Sequence, residues 1–199
     1  MRSAFLAVAL VVLTPLANAQ HHGNSSAAPG VAETFVVDGL RVDAADPPPG
    51  SAVGRAGLRF DDGGYVAVVY GKPYARGRQI FGGLVGYGTV WAAGAHRATE
   101  LVTTVPLVVG GVRLAPGAYS LLVTPKPDTW TLHVNRALGM HLADEYDPTE
   151  DVAVVTVAPI PLDVPLDALT WSFADDGRAL RLAWGDLAAH FAIARAPRD

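Results

Sequence analysis

Cysteine is absent from this chain of 199 residues. The sequence therefore excludes disulfide bonds, a cysteine nucleophile and a lipid anchor attached to a processed cysteine. A chain of this length can bury a hydrophobic core large enough to fold without crosslinks. We therefore expect packing alone to stabilise the fold.

An excess of charge of one sign is also absent. The chain has 15 Lys and Arg residues against 19 Asp and Glu residues, which gives a net charge of −4. Binding to nucleic acid or to anionic lipid needs a basic patch. The composition therefore predicts no nucleic-acid partner and no electrostatic attraction to a membrane surface.

Long hydrophobic runs are confined to the N-terminus, where residues 4–13 read AFLAVALVVL. This run is shorter than the roughly 20 residues that a membrane-spanning helix needs. Arg2 precedes it, and residues 17–19 (ANA) form a small-residue cleavage site. We interpret residues 1–19 as a signal peptide rather than a buried helix. Removal of Arg2 leaves 14 basic against 19 acidic residues, a net charge of −5. The mature chain is expected in the periplasm or outside the cell, without a transmembrane anchor.

The region after the predicted cleavage site is small, polar and rich in proline. Residues 20–54 are predicted to be a flexible tether and a connector that contains PPPG at residues 47–50. One edge strand is predicted within this region, at residues 34–37. No change of composition interrupts residues 55–199, which we predict to form a single domain.

Helix signals are scarce in this domain, whereas strand signals are frequent. Trp130, Leu132 and Val134 alternate with polar residues, as in a strand with one buried face. Gly110-Gly111 separates two short apolar runs, as in a two-residue hairpin loop. Many short strands with closely spaced turns are typical of sandwiches and barrels. We therefore predict an all-β fold, an antiparallel β-sandwich or jelly-roll-like single domain. The predicted strands cover residues 65–70, 100–105, 107–109, 112–114, 118–124, 129–134, 152–158, 168–174, 179–184 and 187–194.

Glycine and aromatic residues are concentrated in residues 70–100, in the motifs YGKP, RGRQIFG, YGTVW and GAHRAT. The motifs LAPGAYSL, YD and LRLAW follow downstream. Together these motifs resemble domain-of-unknown-function family 2911, a family of exported bacterial proteins. The resemblance extends from about residue 65 to the C-terminus. It implies an exported, β-rich domain with no established activity.

Five positions depart from the pattern of that family. Gly86 stands where its members tend to have proline, and Ala92 stands where they have arginine. His96 and Arg97 replace Asn-Glu, and His141 aligns with a tryptophan. If the family has a polar site built on these groups, this chain has changed it.

Established catalytic motifs are also absent from the sequence. No serine lies in a G-x-S-x-G motif, and the histidines lack the spacing of a metal site. His96, however, precedes Glu100 by four residues. An imidazole–carboxylate pair in a cleft can act as a general base. One hypothesis is therefore a small hydrolase or metal-dependent enzyme centred on His96, with Arg76 or Arg78 as helpers. The alternative for His96 is a solvent-exposed loop residue.

A second hypothesis, which we favour, is a non-enzymatic binding module of the cell envelope. Arg76 and Arg78 flank a glycine and could hold a carboxylate or phosphate, or could pair within the domain. Aromatic rings stack on sugars and fill interface pockets. The predicted partners are a small molecule, a glycan or an envelope protein, and no cofactor is predicted. The candidate ligand-binding residues are Arg76, Arg78, Tyr74, Tyr87, Trp91 and His141.

No metal site is predicted in the domain, but the mature N-terminus offers one. Cleavage after residue 19 would expose Gln20, His21 and His22. A free amine, two amides and the imidazole of the third residue can bind Cu(II) or Ni(II) in a square plane. Cyclisation of Gln20 to pyroglutamate would remove the amine and abolish the site.

Overall fold

The computed structural model of the chain describes residues 31–38 and 50–197. The predicted signal peptide, most of the predicted tether and the hypothetical copper site at Gln20, His21 and His22 lie outside these residues. Within the described residues, no helix has the length and apolar character needed to cross a membrane.

The described residues form eleven β-strands and a short 3-10 helix at Pro148–Glu150. In chain order, the strands are β1 (Val31–Asp38), β2 (Ala52–Phe60), β3 (Tyr65–Lys72), β4 (Thr99–Thr103), β5 (Leu107–Val109), β6 (Val112–Leu114), β7 (Gly117–Pro125), β8 (Trp130–Asn135), β9 (Asp151–Val157), β10 (Ile160–Phe173) and β11 (Ala179–Arg195).

These strands form two antiparallel sheets. The first has seven strands in the order β1-β2-β3-β4-β7-β8-β9, and the second has four in the order β10-β11-β5-β6. Every pair of neighbouring strands is antiparallel. The predicted β-sandwich is therefore confirmed, and β1 occupies the edge position expected for residues 34–37.

The two sheets share one hydrophobic core. The alternation in β8 places Trp130 and Leu132 in this core, where both are fully buried. Trp171 from β10 and Phe191 from β11 meet them from the opposite sheet and are also fully buried. Burial of such large rings is a main source of stability in a fold that has no crosslinks.

The predicted hairpin at Gly110-Gly111 is confirmed. Val109 pairs with Val112, and Gly110 and Gly111 have φ angles of +57° and +88°. Positive φ at both loop residues matches the twist of the flanking strands, and glycine adopts it without steric strain.

Three features of the strands differ from the sequence-based prediction. Strand β10 begins at Ile160, eight residues before the predicted start at residue 168. Strand β2 was not predicted because Gly54 and Gly57 lower its apparent strand propensity. Gly54 lies against the ring of Tyr70, where a Cβ atom would come within 2.4 Å of Cζ. Strand β11 was predicted as two strands divided at Gly185. It is instead one strand, because Gly185 takes a φ of +59° at a bulge without ending the ladder.

The outer face of the seven-stranded sheet is partly covered by two loop segments, one between β3 and β4 and the other between β8 and β9. Leu122 on β7 packs there against Ala92 and Ala98 from one segment and Met140 from the other, and all four are buried. This second, smaller cluster holds both segments against the sheet. Beside it, the hydroxyl of Ser120 on β7 donates to the carbonyl of Ala137 at 2.7 Å.

Candidate functional site

The glycine- and aromatic-rich loop between β3 and β4 packs against β10, and Asp167 is its main anchor. The carbonyl of Asp167 accepts hydrogen bonds from the backbone N–H of Ala75 at 2.6 Å and from the indole N–H of Trp184 at 3.0 Å. Its carboxylate accepts from the backbone N–H of Arg76 at 2.8 Å. The loop is therefore fixed to the second sheet rather than free in solvent.

A cavity of about 560 Å³ lies between this loop and the part of β10 and β11 where Leu166 pairs with Gly185. We call it the Tyr87 cavity. Ala75, Ile80 and Phe81 are the buried apolar residues of its lining. Its exposed polar residues are Arg78, Gln79, Asp167, Asp186 and Tyr87.

The ring of Tyr87 is held in a defined position in this cavity. Gly82 has a φ of +77°, and a Cβ atom at Gly82 would lie 2.7 Å from Cε2 of Tyr87. The ring therefore packs directly on the glycine backbone. Tyr87 nevertheless remains 41% exposed, so part of its surface is open to a ligand.

The two arginines of the loop have different surroundings. Arg78 lines the Tyr87 cavity, and its Nε and Nη2 atoms donate to the carbonyls of Ala75 and Tyr74 at 2.9 Å and 2.8 Å. Arg76 donates from Nη2 to the carbonyl of Gly50 at 3.0 Å, and its guanidinium lies 6.0 Å from the ring centre of Tyr74. The contact of Arg76 with the ring of Tyr74 is the alternative raised by the sequence, whereas Arg78 is held by backbone carbonyls.

The other two candidate rings pack inward. Tyr74 is only 6% exposed. Trp91 is half-buried and stacks on Trp184 with ring centres 5.8 Å apart. It also forms an edge-to-face pair with Phe81, with ring centres 6.3 Å apart. Among the three candidate aromatic residues, Tyr87 is the one that the structure places in the lining of the Tyr87 cavity.

His96 and Glu100 line a second cavity of about 260 Å³. His96 has a φ of +68°, and the N–H of Arg97 donates to the carbonyl of Ala95 at 2.9 Å around it. This is a γ-turn of the strained, positive-φ kind. The enzyme hypothesis requires Arg76 or Arg78 beside His96, and neither lines this second cavity. Arg78 lines the Tyr87 cavity, and Arg76 donates to the carbonyl of Gly50.

His141 lies beside the His96 turn rather than in either cavity. Its backbone forms an isolated bridge with Arg97, and its Nδ1 atom is 3.1 Å from a carboxylate oxygen of Asp144. The side chains of His141 and Asp144 are 69% and 68% exposed. This is the geometry of a solvent-exposed ion pair, which contributes little to stability.

A polar cluster that the sequence did not predict lies on the outer face of the seven-stranded sheet. Asp151 accepts from Nδ2 of Asn135 at 2.8 Å and from the Tyr146 hydroxyl at 2.7 Å, and its Oδ2 lies 2.9 Å from Nδ1 of His133. The side chains of His133 and Asp151 are only 14% and 8% exposed. The sequence signal was weak, because strand register rather than local spacing brings these residues together.

Ionisation of Tyr146 is opposed by this cluster. Burial, the hydrogen bond to Asp151 and the negative charges of Asp151 and Asp147 raise the pKa of Tyr146 well above its usual 10.0. Above pH 10.0 the unfolded chain ionises this phenol while the folded chain keeps it protonated. The contribution of Tyr146 to stability is therefore complete below that pH and is lost as the pH rises.

The variant Tyr146→Phe tests this linkage. At neutral pH we expect it to be less stable than the wild type by about 1–3 kcal/mol, because it lacks a hydrogen bond to a charged group. Above pH 10.0 the difference should shrink, since only the wild type has this ionisable phenol. Urea unfolding of both proteins from neutral to alkaline pH measures the difference. A gap that stays constant across that range would contradict the raised pKa.

Comparisons with known proteins give a family but no activity. No curated protein and no solved structure matches the chain. The model of the family "Protein of unknown function (DUF2911)" matches residues 57–193, which include strands β3 to β10 and parts of β2 and β11. The resemblance noted in the sequence is thereby confirmed, and the chain belongs to the DUF2911 family.

Proposed function

We propose that this protein is an exported binding module of the cell envelope that holds a glycan in the Tyr87 cavity. The observation that carries the proposal is the ring of Tyr87, fixed on Gly82 and 41% exposed at a cavity with polar side chains. An aromatic ring held in one orientation offers an apolar face to a sugar at little cost in conformational entropy. The predicted signal peptide supports the location.

The polar groups of the cavity favour a neutral ligand rich in hydroxyl groups. Arg78 contributes a positive charge, and Asp167 and Asp186 contribute negative charges. The mixture of signs favours neither a phosphate nor a cation. Arg78 uses two of its five N–H groups on backbone carbonyls, which leaves three to donate to a ligand. Carboxylates, which only accept, can receive hydrogen bonds from sugar hydroxyls.

The size of the cavity fits the same class of ligand. Its volume of about 560 Å³ lies within the range of roughly 300–1,000 Å³ that is typical of small-molecule sites. The buried residues Ile80 and Phe81 give it an apolar surface, and the polar side chains can fix the orientation of a bound sugar. This combination of an apolar surface with a few placed polar groups is typical of specific binding sites.

Calorimetric titration with maltose and with N,N′-diacetylchitobiose tests the proposal. We expect at least one of these disaccharides to bind, and Tyr87→Ala to weaken binding about tenfold, equivalent to roughly 1.4 kcal/mol. Tyr87→Phe keeps the ring and should bind within about threefold of the wild type.

Leu84→Ala is the matched control, because Leu84 is an exposed residue of the same loop outside the cavity lining. It should leave the affinity unchanged. The proposal fails if neither disaccharide binds, or if Tyr87→Ala binds as tightly as Leu84→Ala.

A further inference from the structure

The polar cluster on the seven-stranded sheet contains a hydroxyl group as well as an imidazole and a carboxylate. Oγ1 of Thr124 on β7 lies 2.9 Å from Nε2 of His133 on β8, and Nδ1 of His133 lies 2.9 Å from Oδ2 of Asp151 at the start of β9. Three adjacent strands therefore place these residues in a row across the sheet. Thr124 is half-buried, so part of its side chain is open to solvent.

The neighbours of Asp151 fix the proton on His133. Asn135 donates to Oδ1 of Asp151 and Tyr146 donates to Oδ2, which is consistent with an ionised carboxylate. The Tyr146 hydroxyl also lies 3.0 Å from Nδ1 of His133, but Oδ2 of Asp151, at 2.7 Å, is its shorter contact and takes its proton. An ionised carboxylate only accepts hydrogen bonds, so its 2.9 Å contact with Nδ1 of His133 assigns the imidazole proton to Nδ1. In the neutral imidazole, Nε2 is then an acceptor, and the hydroxyl of Thr124 donates to it.

We propose that Thr124, His133 and Asp151 form a hydroxyl–imidazole–carboxylate relay that transfers the acyl group of a small ester to water. A nucleophile hydrogen-bonded to a base that a third group orients is the geometry of nucleophilic catalysis, whatever the fold. Thr124 and His133 are the catalytic residues, and Asp151 is a positioning residue. This site is separate from the Tyr87 cavity and does not depend on the function proposed there.

The first half of the reaction acylates the threonine. Oγ1 of Thr124 attacks the carbonyl carbon, its proton passes to Nε2 of His133, and the carbonyl π electrons move to oxygen. Collapse of the resulting tetrahedral intermediate restores the C=O bond and breaks the bond to the alcohol oxygen. The alcohol leaves with the proton from Nε2. Water then attacks the acyl group, gives a proton to Nε2 and releases the acid, and that proton returns to Oγ1.

The hydroxyl of Thr131 is placed to stabilise the negatively charged oxygen of the tetrahedral intermediate. Thr131 is the direct cross-strand partner of Thr124, so their side chains point to the same face of the sheet. Thr131 in turn shares a hydrogen bond of 3.0 Å with Thr156 on β9. When Thr156 is the donor in that bond, the hydroxyl proton of Thr131 is available to an oxyanion beside Thr124.

Reaction of the whole protein with p-nitrophenyl acetate tests the relay. We expect release of nitrophenol and, in acid-quenched samples, an acetyl group that peptide mapping locates on Thr124. Thr124→Val and His133→Gln should each lower the rate at least about 100-fold, the usual contribution of a general base. Thr124→Ser should retain activity because it keeps a hydroxyl at the same position.

Thr129→Val is the matched control, because Thr129 is a nearby threonine whose hydroxyl bonds only to Asp128 among the described residues. It should react like the wild type. The relay is refuted if the wild type gives no acetyl group on Thr124, or if Thr124→Val or a folded His133→Gln reacts at the control rate. The comparison of Thr124→Val with Thr124→Ser keeps the test decisive if His133→Gln does not fold.

The tautomer of His133 tests the positioning role of Asp151, because a change in packing alone would not alter it. Nitrogen NMR of the wild type should show His133 with its proton on Nδ1. In Asp151→Asn the carboxylate that requires this tautomer is gone, so we expect the Nε2-protonated form to appear. An unchanged tautomer in a folded Asp151→Asn protein would exclude the proposed role of Asp151.

Discussion

Replacement of Asn135 by alanine is expected to lower the free energy of unfolding by about 3–5 kcal/mol. Asn135 is fully buried, and its amide makes three hydrogen bonds. Nδ2 donates to the carbonyl of Asp147 at 2.9 Å and to Asp151 at 2.8 Å, and Oδ1 accepts from the N–H of Ala137 at 3.0 Å. Alanine would leave all three partners without this side chain, one of them a charged carboxylate.

The loss should appear as a fall in melting temperature of roughly 10 °C for a domain of this size. Thr131→Val is the control, because it removes one hydroxyl on the more accessible face of the same strand. That variant should remain within about 0.5 kcal/mol of the wild type. A loss of less than about 1 kcal/mol in Asn135→Ala would show that this amide does not connect β8, β9 and the segment between them.

The second large effect is expected for Gly71→Ala. Gly71 lies near the end of β3, directly against the turn that contains His96. A Cβ atom at this position would come within 2.1 Å of the carbonyl oxygen of Ala95 and within 2.9 Å of its nitrogen. Both are backbone atoms, so the strand and the turn must separate, and their 3.2 Å hydrogen bond from Ala95 to Gly71 would be lost.

We expect Gly71→Ala to lower the free energy of unfolding by about 3 kcal/mol, because backbone has to move to relieve the overlap. Gly50→Ala is the matched control, since a Cβ atom at Gly50 would meet nothing within 4 Å. Urea unfolding of the two variants gives the comparison. Equal stability of Gly71→Ala and Gly50→Ala would show that the turn does not approach the strand this closely.

The strands that the sequence predicted well are those whose signals are local. Trp130, Leu132 and Val134 alternate because their strand has one face in the core, and this period of two is visible without knowledge of the partner strand. Gly110-Gly111 indicates a hairpin because positive φ is a property of the residues themselves. The glycines of β2 misled the prediction, because the ring of Tyr70 that requires Gly54 is distant in sequence.

The candidate sites show the same division. The sequence predicted a role for Arg78 and Tyr87, which are close together along the loop, and the structure places both in one cavity. It could not supply Asp167 and Asp186 of that cavity, because they come from β10 and β11. Tyr74 was predicted as a ligand-binding ring, but whether an aromatic side chain faces solvent or core depends on what packs against it, and Tyr74 is buried.

By itself, the sequence determined the two-sheet β class and the family, because strand alternation, turn residues and family motifs are written in the order of residues along the chain. Only the tertiary structure could show that Thr124, His133 and Asp151 meet, since 9 residues separate the first pair and 18 the second. Their contact depends on strand register, and a shift of one residue would turn each side chain to the opposite face of the sheet.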